Sequence, residues 1–241
     1  MMKDKIIIIG GGLAGSEAAY QIAKRKIKVD LYEMKPTKFS PAHQNENLAE
    51  IVCSNSFKSN LLTNACGLLK EELRNLDSLL IKVADETSVP AGQALAVDRE
   101  EFAKKVTAKL KENPYINIIN KEVVSKFDTK LSTINAENVY FEDLIKDNIV
   151  IIATGPLTSE SLYEGIKHLI GNESLHFYDA EAPIIEKSSI DFNIAFYGNR
   201  YDEEKQKDES LDKWKQRIKN AEASYINLPM NKEEYENFCN K

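Results

Sequence analysis

The chain has 241 residues, which is enough for one large domain, or one and a half small ones, with a sizeable buried core. Hydrophobic residues make up 42% of it and charged residues 29%, a balance that excludes wholesale disorder. The net charge is −6, from 38 acidic and 32 basic residues. This charge excludes a generally basic nucleic-acid coat but not a local basic patch.

The cysteines and the N-terminus indicate the environment of the protein. Cys53, Cys66 and Cys239 are an odd number without regular spacing, which argues against a secreted disulfide scaffold and against a zinc ribbon. The N-terminus is charged, and its apolar run, Ile6–Ile9, is too short for a signal peptide or a membrane span. We therefore expect a cytoplasmic protein with no metal site and no membrane partner.

The start of the chain predicts one βαβ unit. Ile6–Ile9 is a β-branched run of the kind found in strands buried on both faces of a parallel sheet. A glycine-rich turn then leads into a helix over 16–26, and 27–32 alternates apolar and polar residues as a second strand. The loop 35–62 that follows lacks periodicity, and loops of this length in compact domains tend to be functional.

The rest of the chain predicts alternating helices and strands. The apolar spacing of 67–85 predicts a single amphipathic helix. Asp98, with Glu101 three residues later, predicts an N-cap and a helix to about residue 111. A strand buried on both faces is expected at 148–153. The remaining expected elements are strands at 116–119, 123–127, 139–141, 175–178, 194–197 and 225–228, and helices at 159–170, 208–221 and from 231 onward.

A dinucleotide-binding motif lies in the glycine-rich turn. Gly10 allows a tight turn, Gly12 lets a pyrophosphate approach the backbone, and Gly15 lets the helix pack on the strand. The N-terminus of the helix offers N–H groups to the phosphates. Glu33, at the end of the second strand, is suited to both hydroxyls of an adenosine ribose and disfavours a 2′-phosphate. The expected cofactor-binding residues are Gly10, Gly11, Gly12, Leu13, Ala14, Gly15, Glu33, Thr154 and Gly155.

Two features favour FAD over NAD as the dinucleotide. One is the long loop after Glu33. The other is the apolar strand that ends in Ala153-Thr154-Gly155, which resembles the second fingerprint of flavoproteins of the glutathione-reductase type, although a generic strand end is the alternative. The expected fold is α/β, a Rossmann-like FAD-binding domain of that type with an inserted smaller α+β domain. The expected boundaries are 1–97 and 148–183 for the FAD-binding domain, and 98–147 and 184–241 for the inserted or substrate domain.

Longer motifs run through the chain. They are Gly10–Ala19, Glu33–Pro36, Pro41–His43, Glu50–Ser56, Gly67–Glu72, Val89–Arg99 and Ala153–Thr158. With them the chain resembles the bacterial family of folate- and FAD-dependent tRNA (uracil-5-)-methyltransferases, TrmFO, over almost its whole length. The related GidA family shares the first glycine motif. Enzymes of the TrmFO family are nearly twice as long, so this chain is expected to be an N-terminal half.

The resemblance implies methylation of a uridine at C5 in RNA, with the T-loop uridine of tRNA as the expected target. It also implies FAD as cofactor, methylenetetrahydrofolate as carbon donor and NAD(P)H as reductant. C5 of uracil is a poor nucleophile until a group adds at C6, and a thiolate is the usual group. The loop cysteine of the family matches Cys53, which we expect to be the catalytic nucleophile or a mobile thiol. A small buried hydrophobe is the alternative reading of Cys53, and Cys66 is expected in the core.

The chain departs from the family at two positions. Leu228 stands where a second functional cysteine is expected, and Gln93 stands where glycine is expected. A leucine can neither attack C6 nor abstract a proton. A paralogue acting on ribosomal RNA and a truncated flavin-binding module without turnover therefore stay open as alternatives. A third alternative, independent of Leu228, is an oxidoreductase that passes hydride from NAD(P)H to another acceptor. His43 is a candidate base or phosphate contact. The sequence predicts no oligomeric state.

Overall fold

The computed structural model describes residues 5–130, 137–171, 185–198, 208–220 and 225–240. The strands are β1 (Lys5–Ile9), β2 (Lys28–Glu33), β3 (Ser56–Ser59), β4 (Ser88–Val89), β5 (Ala94–Val97), β6 (Ile116–Asn120), β7 (Val123–Val124), β8 (Val139–Tyr140), β9 (Ile149–Ile152), β10 (Phe196–Gly198) and β11 (Tyr225–Asn227). The helices are α1 (Leu13–Ala23), α2 (Ala65–Asn75), α3 (Leu79–Glu86), α4 (Arg99–Lys111), α5 (Phe141–Asp147), α6 (Glu160–Ile170), α7 (Leu211–Asn220) and α8 (Lys232–Cys239). Of these helices, none combines the length and hydropathy needed to cross a bilayer.

The chain divides into two compact units. The sheet unit comprises residues 1–55, 74–87 and 98–182, and the small unit comprises residues 56–73, 88–97 and 183–241. These boundaries differ from the predicted ones, because β6 pairs with β2 and so brings much of 98–147 into the sheet unit. That pairing joins segments far apart in sequence, which no local pattern reveals. The assignment of FAD and substrate to separate domains stays a prediction.

A parallel sheet forms the core of the sheet unit. Its described strands lie in the order β6-β2-β1-β9. Ile8 of β1 is opposite Leu31 of β2 on one side and Ile151 of β9 on the other. Ile8 and Leu31 are fully buried, as expected where a parallel sheet is covered on both faces. The sheet and its crossover helices confirm the Rossmann-like α/β class and the predicted βαβ unit.

The carboxyl ends of all four strands lie at one edge of this sheet, because the strands are parallel. The glycine turn follows β1, Met34 follows β2 and Ala153 follows β9 at that edge. In open α/β sheets, ligands bind outside the carboxyl ends of the strands. The topology therefore gathers the predicted cofactor-binding residues at one place.

Helix α4 begins where its cap predicted. The Asp98 carboxylate accepts hydrogen bonds from the backbone N–H groups of Glu100 and Glu101, at 3.0 and 3.1 Å. Phe102 and Val106 of the same helix are fully buried. The predicted N-cap and helix are confirmed.

The single helix predicted over 67–85 is wrong, because the chain forms α2 and α3 with a break between them. Asp77 has a positive φ of 57°, and Ser78 is the N-cap of α3. Glu17 of α1 accepts hydrogen bonds from the backbone N–H of Leu80 and from the Ser78 hydroxyl, both at 3.0 Å. A carboxylate from another helix thus binds the first turn of α3, and no sequence period records such a contact.

Strand β9 is present where 148–153 predicted a strand, but the expected burial on both faces is wrong. Ile149 is 54% exposed and Ile152 is 41% exposed. Among the described strands, β9 pairs with β1 alone and therefore forms an edge of the sheet. The apolar run correctly predicted a strand, but it did not predict how much of that strand is exposed to solvent.

A second, smaller parallel pairing joins β7 and β8, with Val123 opposite Val139. Phe141 was expected to end a strand; it begins helix α5 instead and is buried against the core. Helix α6 confirms the helix predicted at 159–170 and ends at Gly171, in the left-handed conformation. This part of the sheet unit covers the core next to Ile7 and Ile9.

The small unit is built from antiparallel strands and short helices. Strands β3, β5 and β4 form one sheet in that order, and β10 pairs with β11. The buried ammonium group of Lys70 donates hydrogen bonds to the carbonyl oxygens of Phe57, Ser59 and Cys66, at 2.6 to 2.8 Å. These bonds compensate the burial of the charge. Helix α8 has the predicted cap, whereas the strand predicted at 175–178 lies outside the described residues.

The contact between α1 and the start of α3 predicts a stability effect. Replacing Glu17 by Gln leaves the N–H donors of Leu79 and Leu80 without a carboxylate acceptor, and we expect the free energy of unfolding to fall by about 1–2 kcal/mol. Urea unfolding followed by circular dichroism measures the change. The exposed Lys104→Gln variant, which removes a surface ion pair with Glu101, should unfold at the wild-type midpoint. Equal midpoints for Glu17→Gln and wild type would contradict the proposed capping.

Candidate functional site

A cleft of about 590 Å³ opens at the carboxyl edge of the parallel sheet. It lies within the sheet unit and joins the glycine turn, the end of β2, part of the loop 43–53, the start of β7 and the residues after β9. The predicted site residues that line it are Gly10, Gly11, Gly12, Leu13, Ala14, Glu33, Cys53, Thr154 and Gly155. Its volume is that of a typical small-molecule or cofactor site.

The glycine turn is shaped by close approach of backbone to backbone. Gly10 has a φ of +102°, and a Cβ atom there would lie 2.7 Å from the Ala153 carbonyl oxygen. A Cβ atom on Gly15 would lie 1.8 Å from the Gly10 carbonyl oxygen. Gly15 does not line the cleft but lets α1 pack on the turn. Around Gly12, by contrast, a Cβ atom would meet nothing within 4 Å, so the backbone there is open to the cleft.

The N-terminus of α1 faces this open space. Helix α1 begins at Leu13, and its N-cap, Gly12, has no side chain that could bind the N–H groups of the first turn. The first turn also carries no acidic residue. Leu13 and Ala14 line the cleft. An anion placed there meets backbone N–H groups and the positive end of the helix dipole.

Glu33 is buried beside the turn and holds it in place. One oxygen of its carboxylate accepts the backbone N–H of Gly11 at 2.8 Å, and the other accepts the backbone N–H of Lys35 at 3.0 Å. An ionised carboxylate offers about four acceptor positions. Two therefore stay available for hydroxyl donors from the cleft, such as those of a ribose.

These features fit the adenosine diphosphate part of a dinucleotide. The diphosphate matches the exposed backbone at Gly12 and the start of α1, and the ribose hydroxyls match the Glu33 carboxylate. A negative charge at Glu33 disfavours a 2′-phosphate at the same place. The fit rests on backbone shape and one carboxylate, which is how nucleotide-binding βαβ units work in general.

The loop after β2 brings Cys53 to the wall of the cleft. The backbone N–H of Ala49 donates to the Gly11 carbonyl oxygen at 2.9 Å, and Leu48 and Ala49 are buried. Cys53 itself is exposed and lines the cleft. Its alternative reading as a small buried hydrophobe is therefore wrong. Cys66, expected in the core, is only partly buried, because it sits in the first turn of α2, and Cys239 is exposed.

His43 also lines the cleft and is held in a defined orientation. Its Nδ1 is hydrogen-bonded to the Ser40 hydroxyl at 2.5 Å. Burial, and then the positive charge of Lys35, lower the pKa of His43 below its usual 6.5. The imidazole is therefore neutral at pH 7, which favours a role as a neutral hydrogen-bonding group or base over a cationic phosphate contact.

Sequence reasoning missed several charged residues of the cleft. Lys35 and Glu50 form a buried ion pair, and Lys121 and Glu122 contribute the β6–β7 side of the wall. From the sequence alone, charged residues in a polar loop are expected to be exposed to solvent. Only the structure shows that Lys35 and Glu50 form a buried ion pair. Among the described residues, no three His, Cys, Asp or Glu side chains are grouped so as to hold a metal ion.

The sheet order, the glycine turn and the cleft define a Rossmann-like α/β protein with a site suited to a dinucleotide. The chain belongs to the glucose inhibited division protein A (GidA) family, whose family model matches residues 5–241. The match covers both units of the structure.

Curated relatives are similar over almost the whole chain. The methylenetetrahydrofolate–tRNA-(uracil-5-)-methyltransferase TrmFO of Lactobacillus gasseri is 50% identical over 237 residues, which are 98% of this chain and 46% of that protein. TrmFO of Fusobacterium nucleatum is 49% identical over 240 residues, 100% of this chain and 47% of that protein. The chain thus spans about half the length of these relatives. A crystal structure of Aquifex aeolicus GidA aligns with 52% of this chain and 21% of its own, at 18% identity and a TM-score of 0.41, too partial a match to support a conclusion.

The lowered pKa of His43 predicts a pH dependence of stability. Because the folded-state pKa lies below the unfolded value of 6.5, the unfolded chain binds the proton first. The contribution of neutral His43 to the free energy of unfolding is therefore fully present above pH 6.5. It is lost as the pH falls from 6.5 through the folded-state pKa. Urea unfolding between pH 5 and 7.5 should show a weaker pH dependence in His43→Gln than in wild type.

The titration of His43 itself provides the matching control. Its ring protons, followed by NMR in the folded protein, should show a midpoint below 6.5. A midpoint at or above 6.5, or the same pH dependence of unfolding in both proteins, would contradict the burial of the imidazole.

Proposed function

We propose that this chain is the flavin-binding part of an enzyme that methylates uridine at C5 in RNA. The proposed cofactor is FAD, the proposed carbon donor is methylenetetrahydrofolate, and the proposed RNA is tRNA. The observation that carries the proposal is the cleft in which the open N-terminus of α1, the Glu33 carboxylate and the exposed Cys53 thiol share one space. The names of the curated relatives support the same reaction.

The proposed roles of the cofactor-binding residues follow from their geometry. Backbone N–H groups of Gly12, Leu13 and Ala14 would bind the diphosphate, and Glu33 would bind the ribose hydroxyls. Thr154 and Gly155 follow β9 and line the cleft, with Thr154 next to Gly10. FAD, when bound, would supply the redox and one-carbon chemistry that the side chains of this chain lack.

Cys53 is the proposed nucleophile. Addition of its thiolate to C6 of the uracil would form a C–S bond and open the C5–C6 double bond, and the resulting enolate would be nucleophilic at C5. Exposure of the thiol at the cleft wall supports this role, since the thiol is accessible to a base brought to the cleft. NAD(P)H is the proposed reductant, and the charge of Glu33 disfavours NADPH at this particular cleft.

A flavin-binding module without turnover is the second candidate function. Leu228, at the position of the second functional cysteine expected from the TrmFO resemblance, is exposed just after β11. A leucine offers no nucleophile and no proton acceptor. The chain also spans only about half the length of its curated relatives. The second candidate therefore predicts FAD binding without formation of 5-methyluridine.

Flavin binding tests the cleft directly. We expect the purified chain to quench FAD fluorescence on binding, and Gly12→Ala to weaken the affinity by about tenfold because its new methyl group occupies the space of the diphosphate. That methyl group meets no protein atom within 4 Å, so Gly12→Ala should unfold like wild type. Lys104→Gln, on the exposed face of α4, should bind FAD normally. A folded wild-type chain that binds no FAD would overturn the proposal.

The thiol is tested by turnover. The flavin-loaded chain is incubated with methylenetetrahydrofolate, NADPH and a tRNA transcript, and 5-methyluridine is measured by mass spectrometry. Cys53→Ser should lower product by about 100-fold or more while FAD stays bound, because a hydroxyl is a far weaker nucleophile than a thiolate. Cys239→Ser, which changes an exposed thiol outside the sheet unit, should retain wild-type turnover. No product from flavin-loaded wild type would favour the second candidate.

A further inference from the structure

Two opposite charges are buried together in the wall of the cleft. The ammonium group of Lys35 lies 3.1 Å from a carboxylate oxygen of Glu50, and the two side chains are only 4% and 9% exposed. Neither residue belongs to the glycine motif or to the predicted thiol chemistry. Taking two charges out of water is costly unless further hydrogen bonds satisfy them. The other hydrogen-bond partners of Lys35 and Glu50 therefore determine whether the buried pair is stabilising.

The Lys35 ammonium and the Glu50 carboxylate are both hydrogen-bonded to the backbone of one loop. Lys35 donates to the carbonyl oxygen of Asn47 at 2.5 Å. The second oxygen of Glu50 accepts the backbone N–H groups of Gln44 and Asn45, at 2.9 and 3.2 Å. The loop from residue 44 to residue 50 is thus folded around the ion pair, which binds its beginning, its middle and its end.

The same loop is attached to the body of the sheet unit. The backbone N–H of Leu48 donates to the Thr107 hydroxyl at 2.9 Å, and that of Ala49 donates to the Gly11 carbonyl oxygen at 2.9 Å. Ala49 has a positive φ of 52°, a conformation that a non-glycine residue adopts only when its surroundings enforce it. The ion pair and these two bonds together determine where residue 50 lies.

Cys53 follows Glu50 by three residues and lines the same cleft. A segment this short cannot move its end far from a fixed start. From this geometry we infer that Lys35 and Glu50 are positioning residues, which hold the Cys53 segment at the mouth of the cleft. The importance of this role rests on the proposed function of Cys53, but the positioning itself is a property of the loop.

The alternative explanation is that the pair only stabilises the fold. A merely stabilising pair would change the unfolding temperature when removed, without changing the motion of Cys53 in the folded protein. A nitroxide label on the thiol separates the two explanations, because its spectrum reports local motion of the folded chain. The Cys66→Ser/Cys239→Ser background leaves Cys53 as the only thiol to label.

The test compares Glu50→Gln with wild type in this background. We expect the label on Cys53 to move more freely, with a rotational correlation time shortened by about twofold, because Glu50→Gln no longer holds Lys35 and the two N–H groups together. Glu17→Gln provides the matched control, since it weakens the fold at α3 and should leave the spectrum unchanged. A label on Cys239, in a Cys53→Ser/Cys66→Ser background, should not respond to Glu50→Gln.

A second variant keeps the test decisive if a lone buried Lys35 prevents folding. Lys35→Met/Glu50→Leu removes both charges and leaves none unpaired. We expect it to give the same shortened correlation time at Cys53. A wild-type spectrum in whichever variant folds would overturn the inference, whatever the unfolding temperature of that variant. The measurement needs no flavin, folate or RNA. Its result can therefore be interpreted even if the proposed function is wrong.

Discussion

The site depends on one hydrogen bond between a buried carboxylate and a glycine. Glu33, the last residue of β2, accepts the backbone N–H of Gly11 and thereby fixes the turn that follows β1. Because the turn is fixed, α1 starts with its free N–H groups directed at the cleft. The same carboxylate keeps acceptor capacity for a ligand. The Glu33 side chain therefore stabilises the turn and can also accept hydrogen bonds from a ligand.

Gly11 links this carboxylate to the loop that carries the thiol. Its carbonyl oxygen accepts the N–H of Ala49 and the hydroxyl of Ser16. A Cβ atom on Gly11 would lie 2.5 Å from Leu48 and 2.8 Å from the Glu33 carboxylate, so a larger residue would push the loop and β2 apart. The cofactor side and the thiol side of the cleft thus meet at a single residue. Gly11 therefore connects the proposed flavin site to the loop that carries Cys53.

Local signals in the sequence predicted the parts of the fold that local physics determines. The buried strand and glycine spacing predicted the βαβ unit, and Asp98 predicted the start of α4, because capping involves neighbouring residues only. The break before Ser78 depends on Glu17, and the place of β6 depends on β2; both partners are distant in sequence. The composition of the cleft followed largely from motifs. The Lys35–Glu50 pair did not, because residue type does not report which charges a fold buries.

The glycine turn and Glu33 are proposed to form the diphosphate and ribose site of a flavin cofactor. Backbone amide resonances of the isotopically labelled chain, followed during a titration with FAD, show which residues the cofactor contacts. We expect the largest shifts at Gly11, Gly12, Leu13, Ala14 and Lys35, with little change in β3 and β5 of the small unit. Shifts centred elsewhere, or none at saturating FAD in a folded chain, would contradict the proposal.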